Sequence, residues 1–110
     1  MIASGQNELY ARDMESLPKN AKQAPVLIYT KDYCPYCDAA KNLLTQKGVG
    51  YDEIDISQDP SQAKTMLERS EGRRTVPQIF IGNKGVGGFT DMQKLDQEGK
   101  LEALLFPKGR

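Results

Sequence analysis

The run Val26-Leu27-Ile28-Tyr29 is apolar throughout and rich in β-forming side chains. Such a short, unbroken run predicts a buried strand. A different rhythm follows Cys37. Ala39, Ala40, Leu43, Leu44 and Lys47 fall at helical spacing, and Gly48 supplies the stop. From Val49 to Ile56 apolar and polar residues alternate, apart from a shift at Gly50, which predicts a second strand. Asp59-Pro60 predicts a helix start, with Asp59 as cap and Pro60 in the first turn. Ala63, Met66 and Leu67 give that helix its apolar face, and Gly72 ends it. Gln78-Ile79-Phe80-Ile81 and Gly85-Val86-Gly87, parted by Gly82-Asn83-Lys84, predict a β-hairpin. Thr90 with Gln93 reads as a capping box opening another helix, with Met92 and Leu95 inward. Gly99 breaks it, and Leu101, Ala103, Leu104 and Leu105 predict a last turn or two before Pro107. The order β-α-β-α-β-β-α calls for an α/β fold, a sheet covered by helices.

Residues 1–24 lack steady periodicity. They read as an extension with a short helix around Glu8 to Ser16, and the folded domain is expected over 25–107. A chain of 110 residues suits one domain with a small core. Fifteen basic and fifteen acidic residues give a net charge of zero, so nothing points to nucleic acid or an anionic membrane as partner. No apolar run approaches the ~20 residues of a membrane span. The N-terminus has no apolar signal region, and Glu8, Asp13 and Glu15 argue against a transit peptide. A cytoplasmic monomer is the expectation.

The only two cysteines, Cys34 and Cys37, are separated by Pro35 and Tyr36. A structural disulfide across so small a loop gains little from chain entropy and is out of place in a reducing compartment. Structural zinc usually takes four Cys or His ligands, and this chain has no histidine, so no metal is expected. A redox couple fits best. A strand leads in and an amphipathic helix leads out. Cys34 falls at the helix start, where unpaired N–H groups and the helix dipole favour thiolate, and Lys31 adds a cation. Such settings lower a cysteine pKa from about 8.5 into the ~3.5–7.5 range. Cys37 lies nearly one turn deeper. Cys34 is thus the attacking sulfur and Cys37 the resolving one. With no histidine, activation of Cys34 is electrostatic.

KDYCPYCDAAKNLL, RRTVPQIFIGNKGVGGFTD and the element order between them closely resemble a dithiol glutaredoxin. The resemblance covers Pro25 to about Leu105. CPYC, then TVP, then GG-x-x-D is a specific set; thioredoxins typically carry CGPC, and monothiol relatives carry CGFS. The resemblance implies a thioredoxin-like fold, a central four-stranded mixed sheet flanked by helices. It implies a glutathione-dependent oxidoreductase acting on disulfide-containing or glutathionylated proteins, with glutathione reductase as an indirect partner. Cys34 then matches the nucleophile that becomes glutathionylated, and Cys37 its partner. Lys31 matches the cation for the glycine carboxylate of glutathione, and Tyr36 the aromatic wall. Thr75, Val76 and Pro77 match the TVP segment, with a cis Val76–Pro77 bond and a backbone pairing at Val76. Gly87 and Gly88 match the glycine turn. Thr90 and Asp91 match the positions holding the γ-glutamyl end. Phe89 stands where many relatives have another cysteine.

Elementary chemistry gives these residue types independent reasons. Glutathione is a peptide, so an extended backbone segment can read it. Pro77 cannot donate to a sheet ladder, which suits a segment left open. Glycines at 87 and 88 allow close backbone approach. A helix N-terminus at Thr90 and Asp91 can hold a carboxylate. Each residue also has a plainer role. Lys31, Arg73 and Arg74 read as solvated charges, with either arginine also able to assist a carboxylate, Tyr36 as cover for the helix start, and Thr90 as a cap. A rival reading from the binding class has Cys34 of two subunits and two glutathiones holding a [2Fe–2S] cluster. The stiff Pro35 argues against it. A second rival is a thioredoxin-like protein recycled by a flavoprotein reductase, against which Lys31, Thr90 and Asp91 speak.

Overall fold

The computed structural model describes residues 23–109. The extension and its expected helix at Glu8 to Ser16 lie outside the described residues, apart from residues 23 and 24. Eight elements follow in order: β1 (Val26–Thr30), α1 (Pro35–Gln46), β2 (Asp52–Asp55), α2 (Ser61–Arg69), β3 (Gln78–Ile81), β4 (Lys84–Gly87), α3 (Phe89–Gln97) and α4 (Leu101–Leu105). The sheet order is β2-β1-β3-β4. β1 pairs in parallel with β2 and antiparallel with β3, and β3 pairs antiparallel with β4. The sheet is therefore mixed, and the fold is thioredoxin-like.

Alternation along the two central strands divides the core. Val26 and Ile28 of β1 and Ile79 and Ile81 of β3 join Ala40 and Leu44 of α1, Met92 of α3, and Leu101 and Leu105 of α4. Tyr29 and Phe80 point to the other face and meet Met66 of α2. Each fully buried Leu or Ile contributes about 1.5–3 kcal/mol relative to exposure. Both central strands therefore read as near-continuous apolar runs. Buried Thr30 is satisfied by Glu53, whose Oε2 accepts its hydroxyl at 2.7 Å, and Lys41 donates to the same carboxylate at 3.1 Å.

Three expectations change in detail. The second strand does not start at Val49. The N–H of Val49 donates to Leu44 O at 3.3 Å, closing α1. Gly50 exchanges bonds of 2.7 and 3.0 Å with the side-chain amide of Gln23. Those backbone groups are committed elsewhere, so β2 is short. Asp59 does not cap the α2 backbone. Its Oδ1 accepts the Ser61 hydroxyl at 2.6 Å, and α2 begins just after Pro60. Helix α3 starts at Phe89 after Gly88, two residues earlier than a Thr90 cap requires. Asp91, not Gln93, reaches back: its Oδ2 accepts Gly88 N–H at 2.9 Å. Gly82 and Asn83 form the hairpin turn, with Gly82 at φ 59°. Among the described residues no helix is long and apolar enough to cross a membrane.

Candidate active site

Cys34 follows a turn in which Tyr33 is left-handed (φ 55°) and fully exposed. Asp32 N–H anchors this turn to Ser57 Oγ at 3.3 Å. Ser57 is held in its turn by Asp55, whose carboxyl stays below the usual carboxylate range through the Ser57 hydroxyl bond. Cys34 is the N-cap of α1, and Pro35 occupies its first turn. Cys34 Sγ accepts the backbone N–H of Cys37 at 3.1 Å. The two sulfurs are joined as a disulfide, with Cα atoms 5.2 Å apart. Cys34 is half-buried, whereas Cys37 is 1 % exposed and lies in the core. Once reduced, Cys34 keeps the position where helix N–H groups favour a thiolate.

Around this sulfur the fold gathers residues from distant parts of the chain. Cys34 Sγ lies 3.9 Å from the Val76 carbonyl oxygen. The Val76–Pro77 bond is cis, as the resemblance implies. Thr75 is held by buried Gln78, whose Nε2 donates to its carbonyl at 2.9 Å and its hydroxyl at 3.3 Å. Gly88 comes so near Pro77 that a Cβ on it would stand 3.5 Å from the Pro77 carbonyl oxygen. The Tyr36 and Phe89 rings face each other at 6.3 Å, closing the wall between α1 and α3. Thr90 and Asp91 are exposed at the α3 start. Lys31 is exposed in the loop before Cys34 and makes no hydrogen bond or ion pair with the described residues.

Two supporting interactions escaped sequence reasoning. Gln78 acts on its own backbone neighbourhood, and its only sequence signal is a polar residue opening an apolar strand. Arg73 read as a surface charge, yet its Nη2 donates to Asp91 Oδ2 at 3.2 Å. A pair eighteen positions apart leaves no local pattern. The Gly88 N–H bond first, and then Arg73, hold the Asp91 carboxyl below the usual carboxylate range. Gly87 (φ 107°) completes this corner, because a Cβ there would collide with both Arg73 and Asp91. Among the described residues no group of three or more His, Cys, Asp or Glu could hold a metal ion.

Comparison with known proteins agrees with this geometry. The glutaredoxin family model matches residues 26–86. The chain belongs to the glutaredoxin family. It is 51% identical over 83 residues to a glutaredoxin of Neisseria meningitidis serogroup A, covering 74% of this chain and 96% of that one. The solution structure of glutaredoxin from Brucella melitensis is similar at 49% identity and a TM-score of 0.69, over 78% of this chain and 92% of that one. A buckwheat glutaredoxin–glutathione complex is similar at 29% identity and a TM-score of 0.69, over 92% of this chain and 94% of that one. As a member of the glutaredoxin family the chain is a thiol–disulfide oxidoreductase, and Cys34–Cys37 is its CxxC pair.

Proposed function

We propose that glutathione is the reductant and that protein disulfides and protein–glutathione mixed disulfides are the substrates. The observation that carries this reading is the pairing of an accessible, helix-capping Cys34 with a buried Cys37 beside the Val76 backbone. The glutathione bound in the buckwheat relative supports it.

Cys34 thiolate attacks the sulfur of a mixed disulfide that carries glutathione. The protein thiolate leaves, takes up a proton, and a Cys34–glutathione disulfide remains. A second glutathione thiolate then breaks that bond, regenerates Cys34 thiolate and departs as oxidised glutathione. With a protein disulfide, Cys34 forms the mixed disulfide with the substrate and Cys37 displaces it, leaving Cys34–Cys37 oxidised by two electrons. Two glutathiones return the pair to dithiol. Exchange is fastest when the attacker is largely thiolate yet still nucleophilic.

In this reading Lys31 holds the glycine carboxylate and Tyr36 walls the site. Thr75, Val76 and Pro77 present backbone to the tripeptide. Gly88, Thr90 and Asp91 take the γ-glutamyl end. Residues 25–107 form the catalytic domain, which works in the cytoplasm as a monomer. The test is NADPH consumption with glutathione and glutathione reductase, set against thioredoxin reductase alone. Turnover only in the first arm is expected. Turnover only in the second overturns glutathione dependence.

A further inference from the structure

Among the described residues two large apolar side chains are strongly exposed: Tyr33, completely, and Tyr36, at 62%. Tyr33 directly precedes Cys34, and Tyr36 follows Pro35. Tyr36 has a neighbour, the Phe89 ring at 6.3 Å. Full exposure leaves the Tyr33 ring without packing. Its backbone is unfavourable as well. At φ 55° it occupies the left-handed region, where a bulky residue is an outlier and Gly or Asn is the less strained choice. Folding therefore gains nothing from a tyrosine here. A ring without packing on a strained backbone points to a role outside the folded chain. The turn itself is fixed. Asp32 N–H donates to Ser57 Oγ at 3.3 Å, and Ser57 N–H donates to Asp55 Oδ1 at 2.9 Å. Lys31 and Asp32, exposed on the same turn, carry opposite charges. The turn thus offers a partner an aromatic ring and no net charge.

Thiol–disulfide exchange dictates what comes to lie over this ring. Cys34 is the accessible sulfur of the pair, and a substrate sulfur must approach it to about 2 Å to form the mixed disulfide. The substrate residues beside that sulfur are then brought against the residue beside Cys34. We propose that Tyr33 docks the polypeptide of a protein disulfide and selects for an apolar side chain next to the substrate cysteine. The proposal rests on the reading that protein disulfides are substrates. An aromatic ring on a fixed turn gives contact area while losing little rotamer freedom, which is why Tyr is enriched at binding hot spots. The paired charges of Lys31 and Asp32 cancel, so the ring decides the preference. Tyr36 serves the glutathione groove in the reading above. Tyr33 stands outside that groove and adds selection among polypeptides.

The test uses the full chain, reduced and freed of excess reductant, in single turnover with two peptides, each closed by one disulfide. One has Leu beside each cysteine and the other Ser. Cys34 thiolate attacks a peptide sulfur, and the other peptide sulfur leaves as thiolate and takes up a proton. Cys37 gives up its proton and displaces the remaining peptide thiolate, which is protonated in turn. The peptide gains two electrons, and Cys34–Cys37 ends as the disulfide. Wild type is expected to favour the Leu peptide by about fivefold in second-order rate, the scale of one aromatic contact. Tyr33→Asn, which suits left-handed backbone, should bring that ratio close to one and raise the urea midpoint of unfolding. Tyr33→Phe should keep the wild-type ratio. The proposal is overturned by a wild type that treats both peptides alike, by a ratio that survives in Tyr33→Asn, or by one that is lost in Tyr33→Phe. A lowered midpoint in Tyr33→Asn would return the ring to a structural role and overturn it too. Hydroxyethyl disulfide, which has no polypeptide, is the control. Equal slowing on it in Tyr33→Asn would mean that Tyr33 acts on Cys34 itself, again against the proposal. A wild type that reduces this control but neither peptide overturns the protein-disulfide reading, and the inference with it.

Discussion

The starts of α1 and α3 border the same site and meet the same shortage, since a helix leaves its first N–H groups without internal partners. At α1 the acceptor is the Cys34 sulfur, which takes the Cys37 N–H at 3.1 Å. At α3 the capping residue is Gly88, and the Asp91 carboxylate reaches back to its N–H at 2.9 Å. The start of α2 is a third case: Asp59 turns to a hydroxyl and leaves the backbone uncapped by side chains. At α1 the group that satisfies the helix is the sulfur proposed to react, so in that reading the helix field acts directly on chemistry. At α3 it is a fixed charge, suited to holding a ligand. In the proposed function, two similar local devices divide reaction from recognition.

The largest expected effect tests the reacting end. Cys34→Ser should lower both disulfide reduction and deglutathionylation by roughly a thousandfold or more. Cys37→Ser should lose dithiol reduction yet keep deglutathionylation, measured in the glutathione reductase-coupled assay. Equal, complete loss of deglutathionylation in both variants would erase the distinction between attacking and resolving sulfur. Next comes the recognition end. Gly87→Ala should destabilise the protein by about 1–3 kcal/mol in urea unfolding, through positive φ and collision with Arg73 and Asp91. Gly88→Ala, which meets only ordinary contact with Pro77, should cost much less.

The smallest effect concerns the α3 cap itself. Asp91→Asn should cost about 0.5–1 kcal/mol at neutral pH, discounted because the side chain is half exposed. The folded pKa of Asp91 is lowered, mainly by the Gly88 N–H. Its contribution is therefore complete above the unfolded carboxylate pKa and disappears as pH falls through the folded one. Unfolding curves of wild type and Asp91→Asn should converge at acid pH. A constant gap across the range would mean that charge is not what Asp91 supplies.

Local features of this fold were legible in the sequence. Apolar runs marked β1 and β3, and Gly82-Asn83 marked the hairpin. Cys34-Pro35 before an amphipathic stretch located the helix start that carries the CxxC pair. Misreadings arose where a backbone group had two possible partners. Asp59 had a hydroxyl within reach, Gly50 had Gln23 from far away in the chain, and Gly88 took Asp91 where Thr90 and Gln93 made the stronger local pattern. Residues 75–77 and 87–91 entered the candidate site through the resemblance to a family, because no periodicity links them to Cys34. The pairing of Arg73 with Asp91 was missed for the same reason: the two are close only after folding.

Burial of Cys37 at 1 % exposure has a further consequence. In the proposed cycle every electron pair enters and leaves the protein through a single atom, Cys34 Sγ. Once the disulfide is reduced, a bulky alkylating dye is expected to meet one sulfur per folded molecule, although the chain holds two. Peroxide is directed in the same way: it meets the outer sulfur, and the sulfenic acid formed there condenses with the adjacent Cys37 thiol to the reversible disulfide, with loss of water.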